Sequence, residues 1–330
     1  MEKNNKKIRR IILLLFLATL LMSLASIFGG AVKIKWQDVA ELFLGGELSS
    51  NGRILLYVRL PRVAGAFVAG VGLALSGAII QMILNNPLAG PNIIGVNSGA
   101  GFAVVLCSAL FPRAYAWYPL AAFVGAFLTV LFVYFFGKRT GSSKVTLVLA
   151  GVAINSILNG ATDAVYTVHE ESLITANAFK IGGLGGISIS VLKVAALAVF
   201  AAAVLAFLFR NELEVFAQGE EMAKSLGLSV NFYRFFFLVL AAVLAGASVS
   251  FAGLLGFVGL IVPHMARLLV GEECRYFLPA TALLGATFLM FCDLVGRTLF
   301  APYELPVGII LSFVGAPFFL WLLVRRKRRN

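Results

Sequence analysis

Apolar stretches long enough to cross a bilayer recur along the whole chain, separated by short polar breaks, and that pattern predicts helices. Ten such stretches stand out, at roughly 11–32, 54–84, 93–112, 117–137, 145–168, 187–209, 235–252, 254–270, 277–299 and 305–324. The longest polar intervals, about 33–53, 169–186 and 210–234, are each too short to fold alone. The chain therefore reads as one all-α transmembrane domain over residues 1–330, with about ten helices.

Within the pattern, residues 59–101 are the most informative. Arg59 and Arg62 open a membrane-length apolar helix rich in Gly, Ala and Ser. An uncharged turn at Asn85, Asn86 and Pro87 then reverses the chain, and a second glycine-rich span follows. Small residues let helix backbones approach closely where lipid supplies no hydrophobic drive. This is the pattern of a packed, pathway-forming bundle.

Composition excludes a water-soluble domain: of 330 residues, 60% are hydrophobic and 13% charged. A net charge of +12 would suit a nucleic-acid binder, but its placement rejects that partner and points to lipid. Lys3, Lys6, Lys7, Arg9 and Arg10 precede the first stretch, and Arg325, Arg326, Lys327, Arg328 and Arg329 follow the last. Basic flanks mark the cytoplasmic side, so both termini are expected inside, with an even number of spans. That topology puts 18 of the 27 Lys and Arg residues on the cytoplasmic side. The first stretch is too long for a signal-peptide core and no clear small-x-small site closes it.

Three scattered cysteines, Cys107, Cys274 and Cys292, form neither a disulfide framework nor a metal-ligand spacing. With His169 and His264 the only histidines, no metal site and no cofactor is indicated. The chain also lacks a G-x-x-x-x-G-K-[ST] loop, so any energy source is another subunit or an ion gradient.

Segment 210–234 favours another subunit. Glu220 and Glu221 sit where the first turn of a short helix wants negative charge, and Gly227 where its cap would fall. Met222 and Leu226 share one face, with Ala223 beside them, which makes either a knob for a partner's groove or an ordinary solvated loop helix. In the fifth stretch, Asn155, Asn159, Thr162 and Tyr166 recur at intervals of four and three, with Asp163 at the edge of the stripe. Such a stripe faces a partner helix or a wet cavity, so a translocation path and a structural hydrogen-bond network are the two readings.

RLPR at 59–62, LSGAIIQMILNNPLAGPNIIGVNSGAG at 75–101, LVLAGVAIN at 147–155 and GEEMAKSLG at 219–227 together resemble one family. FAGLLGFVGLIVPHMARLLVG at 251–271, CDLVGRTLFAPYELPVG at 292–308 and GAPFFLWLL at 315–323 extend the likeness. The chain resembles the permease subunits of ATP-binding-cassette importers for iron-siderophores, haem and vitamin B12. The resemblance implies a homodimer in the cytoplasmic membrane, with the path along the dimer axis. It also implies two separate ATPase subunits below and an extracytoplasmic solute-binding protein above, so this chain would catalyse nothing itself.

By that resemblance Gly219, Glu220, Glu221, Ala223, Leu226 and Gly227 meet the ATPase. Arg59, Arg62 and Arg297 resemble arginines that pair with glutamates of the binding protein, against a plainer reading of snorkelling to headgroups. Asp293, one turn before Arg297, is a candidate internal partner. Ser142 and Ser143 fall where related permeases narrow the cytoplasmic mouth. His264 and Arg267 resemble a family motif, yet a lone histidine there reads as packed, and Pro263 is expected to break or kink its helix. The glycines at 182–186 suit close backbone approach at the outer mouth, where Lys180 adds positive charge or reaches the headgroups. A ferric siderophore is the expected ligand, with corrinoid or haem as alternatives. An ion-coupled secondary transporter is disfavoured because Asp163 and Asp293, the only acids within spans, both lie toward the outer side. An intramembrane enzyme is disfavoured because His264 has no spaced partner on its own helix.

Overall fold

The structure is a computed structural model. It describes residues 2–30, 32, 34–44, 48–140 and 144–327. In chain order the helices are α1 (Glu2–Phe28), α2 (Trp36–Leu44), α3 (Ser50–Ile54), α4 (Leu60–Ile83) and α5 (Val96–Leu110). Then come α6 (Tyr118–Arg139), α7 (Lys144–Val168), α8 (Ser172–Ile181), α9 (Ile189–Leu208) and α10 (Arg210–Ala217). The last five are α11 (Glu220–Ser225), α12 (Val230–Ala252), α13 (Val258–Val270), α14 (Cys274–Thr298) and α15 (Val307–Lys327). A π-helical turn at Leu55–Arg59 joins α3 to α4, so Ser50–Ile83 is one rod of 34 residues.

Every predicted apolar stretch carries an apolar helix. Seven of these helices are long enough to cross a membrane, while Val96–Leu110, Val258–Val270 and Val307–Trp321 are shorter. Two are short for a visible reason. A 3-10 turn at Pro91–Ile94 precedes α5, and a non-helical segment ending at Phe257 (φ 65°) precedes α13. Irregular backbone inside a membrane bundle must be satisfied by protein. Here Phe179 O accepts from the Leu254 amide at 3.0 Å, and Ala252 O accepts from the Gly183 amide at 2.9 Å.

α4 forms the centre. Its span is 78% buried and that of α12 is 72% buried, whereas those of α1 and α7 are only 11% and 22% buried. The small residues of α4 explain the contrast. A Cβ at Gly77 would lie 1.8 Å from Gly259 O, and one at Gly70 would lie 2.3 Å from Gly285 O. α4 thus meets α13 and α14 backbone to backbone, a separation no larger side chain permits.

Pro263 does not break its helix; α13 runs through it. A proline four residues on leaves Gly259 O without its helical donor. The buried Gln81 side chain on α4 stands in, its Nε2 lying 3.4 Å from Gly259 O and 3.3 Å from Leu260 O.

The start of α1 and the end of α15 lie at one end of the bundle. The last turn of α1 packs against the start of α4 and the end of α14, through Arg59 and Arg297. α15 leaves that same region, since Leu305 N donates to Gly296 O at 2.9 Å. The start of α1, the turn at Asn85 and the end of α15 therefore share the opposite face, called here the terminal end.

Candidate functional site

Three groups of residues carry the chemistry. The first lies at the end away from the termini. α1 finishes there with carbonyls that no helical amide reaches, at the negative end of its dipole. Arg59 supplies Nη1 to Ile27 O at 2.7 Å and Nη2 to Val32 O. Arg297 supplies Nη2 to Ser26 O at 3.0 Å and Nη1 to Gly29 O at 3.2 Å.

Asp293 then joins two chains of contacts, 2.9 Å from Arg62 Nε and 3.0 Å from Arg297 Nε. Arg62 Nη1 also donates to Glu304 at 2.6 Å. All three arginines and Asp293 are buried, and only the Glu304 side chain is half exposed, at 47%. The arginines expected at the rim therefore do not snorkel. Their guanidinium groups are engaged inside the chain, and the intrahelical Asp293–Arg297 pair is one part of a network that also recruits Arg62 and Glu304.

The second group is the stripe on α7. Asn155, Asn159, Thr162, Asp163 and Tyr166 line one cavity of about 410 Å³, together with Asn97 and Ser98 of α5 and Lys180 of α8. Leu254, Phe102 and Phe179 supply apolar wall. Asn155 has a structural task within it. It donates Nδ2 to Asn92 O at 2.9 Å and accepts from Ser98 Oγ, so it ties down the 3-10 turn before α5. Thr162 turns back on its own helix, donating to Leu158 O at 2.7 Å. Asp163 is exposed. Ser142 and Ser143 lie outside the described residues.

The third group is the segment 210–234 at the terminal end. α11 starts after Gly219 (φ 120°) and ends at Gly227 (φ 80°), a left-handed region that favours glycine. An added Cβ at either glycine would meet nothing within 4 Å, so backbone conformation and not crowding requires them. Leu228 N reaches back to Ala223 O at 2.9 Å and Gly227 N to Lys224 O at 3.0 Å, which closes the helix. Ala223 is fully buried while Met222 and Leu226 are 50% and 60% exposed, so the expected apolar face points outward. Glu221 is exposed, and Glu220 pairs with the buried Arg234 of α12 at 2.5 Å.

The turn residue Asn85, with Lys144, joins this segment to the rest. Asn85 (φ 47°) donates Nδ2 to Ala217 O at the end of α10 and accepts from Lys144 Nζ at the start of α7. A crevice of about 740 Å³ adjoins them, lined by Gln81, Asn85, Glu214, His264, Arg267 and Glu272 among others. Arg267 spans it, 3.2 Å from both Gln81 Oε1 and Glu272 Oε1. His264 packs edge-on to Phe318, with ring centres 6.4 Å apart, as a packed histidine would. Among the described residues no group of three or more His, Cys, Asp or Glu is set to hold a metal.

Residues 15–325 match the model of the FecCD transport family. The chain belongs to that family. The ferric enterobactin transport system permease protein FepD of Escherichia coli strain K12 is 38% identical over 323 residues, covering 97% of this chain and 95% of its own. The hemin transport system permease protein HmuU of Yersinia pestis is 34% identical over 334 residues, covering 99% of each chain. A solved metal-chelate type ABC transporter in an inward-facing conformation superposes with a TM-score of 0.86 at 27% identity, covering 96% of this chain and 99% of its own. As a FecCD member the protein is a multi-pass permease of the cell membrane, a transport subunit and not a catalytic one.

Proposed function

We propose that residues 1–330 form a single permease domain with ten membrane-crossing helices and cytoplasmic termini, working as a homodimer that imports a ferric siderophore. The seven span-length helices and three shorter apolar ones support the count, and the basic flanks at the shared terminal end support the orientation. The barely buried face of α7, with its polar stripe, supports a path lined by Asn155, Asn159, Thr162 and Asp163 and completed by a second copy. Ser142 and Ser143 are proposed at its cytoplasmic mouth.

The geometry around α11 is the observation that carries this reading. α11 presents Met222 and Leu226 outward at the terminal end, and its ties run through Glu220–Arg234 on one side and Ala217–Asn85–Lys144 on the other. A push on Gly219–Gly227 by an ATPase would thus reach α12 and the first residue of α7, the helix that bears the stripe. At the outer end, the network of Arg59, Arg62 and Arg297 braces the rim on which a solute-binding protein would dock. A docking carboxylate would compete with the half-exposed Glu304 for Arg62. Haem is the second reading, because the hemin permease relative matches the full chain at 34% identity.

The test is ATP hydrolysis by this chain reconstituted in liposomes with its cognate ATPase and binding protein. The binding protein is added empty or loaded with ferric siderophore, cobalamin or haem. Stimulation by one loaded form is expected, and its loss in Met222→Asp/Leu226→Asp, whose side chains are exposed, locates the coupling contact. Failure of the wild-type chain to assemble with any ATPase overturns the proposal.

A further inference from the structure

The cavity between α5, α7 and α8 divides its polar lining into two sets. At its inner end both the Nδ2 and the Oδ1 of Asn155 are engaged, with Asn92 O and Ser98. One to three turns further along α7 the situation reverses. The side chains of Asn159, Asp163 and Tyr166, and of Lys180 across the cavity, make no hydrogen bond or ion pair among the described residues. Asn97 Oδ1 is buried there without a partner. A buried oxygen such as Asn97 Oδ1 is normally satisfied, and the exposed Asn159, Asp163 and Lys180 beside it leave further donors and acceptors open to water or ligand.

The charge inventory narrows the ligand. The lining holds one carboxylate, Asp163, and one ammonium, Lys180, and every other polar lining group is a neutral amide or hydroxyl. Carboxamides donate and accept equally, which suits a ligand edged with amide-like groups. No arginine lines the space, and those nearest the outer end are committed to Asp293, Glu304 and the end of α1. A multiply negative ligand would meet a single cation and a repelling carboxylate, an arrangement that selects by rejection. The volume, about 410 Å³, falls within the about 300–1,000 Å³ of ordinary small-molecule sites.

The geometry points to this cavity as a binding station for ferric chelates of low net charge bearing amide or hydroxamate groups, with Asn159 and Lys180 as contacts and Asp163 as the element that turns away polyanionic catecholate chelates. The inference rests on the permease reading above and names the ligand class of the same path.

It is tested on the permease–ATPase complex in lipid nanodiscs without binding protein, by equilibrium dialysis with radioiron. The probes are a neutral ferric trihydroxamate and an anionic ferric tris-catecholate. The trihydroxamate is expected to bind tighter by about tenfold or more. Asn159→Ala should weaken it, and Asp163→Asn should narrow the preference by improving the catecholate. Both positions are exposed, and unchanged melting of each variant checks that the fold is kept. Equal or reversed preference in the wild type, or a preference that neither variant moves, overturns the inference. Binding of neither chelate, while loaded binding protein still stimulates hydrolysis, overturns it and leaves the importer reading standing. Loss of that stimulation as well removes both.

Discussion

Replacing Asp293 with alanine removes a carboxylate that touches two buried arginines, and the contacts set the size of the effect. Asp293 is 2% exposed and lies 2.9 Å from Arg62 and 3.0 Å from Arg297. Taking away one partner of a buried pair costs about 3–5 kcal/mol, because the remaining charge is left uncompensated. Two guanidinium groups lose their partner here, but neither is stranded. Arg62 keeps Glu304 at 2.6 Å, and Arg297 keeps the carbonyls of Ser26 and Gly29. The expected cost is therefore at the lower end, about 3 kcal/mol. Glu304→Gln, acting on a half-exposed carboxylate, should cost no more than about 1 kcal/mol.

Unfolding of the purified chain in mixed micelles, with SDS as denaturant and tryptophan fluorescence as probe, measures both. The comparison separates two pictures of this end of the bundle. If the arginines hold the helices together, Asp293→Ala is the costlier change by a clear margin. A cost within about 0.5 kcal/mol of wild type, or one matched by Glu304→Gln, would mean that the guanidinium groups are hydrated and free to serve a partner.

Other expectations follow from single contacts. Gly77→Ala should lower stability by about 1–3 kcal/mol, since the added Cβ meets the Gly259 backbone and not a yielding side chain; the same micelle titration reads it. Asn155→Ala should cost about 1–3 kcal/mol by leaving Asn92 O and Ser98 without partners, and Asn155→Asp should recover the Ser98 contact but not the one to Asn92 O. Glu220→Gln should weaken the hold of α11 on Arg234, so that ATP hydrolysis by the assembled transporter persists while substrate moved per ATP falls by about fivefold or more.

Much of the architecture is written locally, and the exceptions share one cause. A membrane helix is declared by twenty neighbouring residues, so each of the ten apolar helices overlaps its predicted stretch, several of them starting a few residues earlier. α2, α8 and α10 were hidden in stretches that read only as polar, although Asp38 in the first turn of α2 and Lys180 and Gly182 at the end of α8 are helix-end signals. α11 was readable because Glu220, Glu221 and Gly227 lie within a few positions of each other.

Long-range pairing has no such local record. Arg62 meets Asp293 across 231 residues, and Gln81 covers the Gly259 carbonyl that Pro263 exposes from 178 positions away. Sequence spacing reveals only the i,i+4 half of the first network, the Asp293–Arg297 pair. An arginine near a helix end has two ways to stay solvated, outward to water and headgroups or inward to carbonyls and carboxylates. Which one it takes depends on whether a neighbouring helix finishes at the same depth with unsatisfied carbonyls. Here α1 does, at Ser26, Ile27 and Gly29, and Arg59 and Arg297 turn inward to meet them. On α7, where the unburied face leaves no such neighbour, Asn159 and Asp163 remain open. The same kind of residue is thus structural where helices close on each other and available for a ligand where they do not.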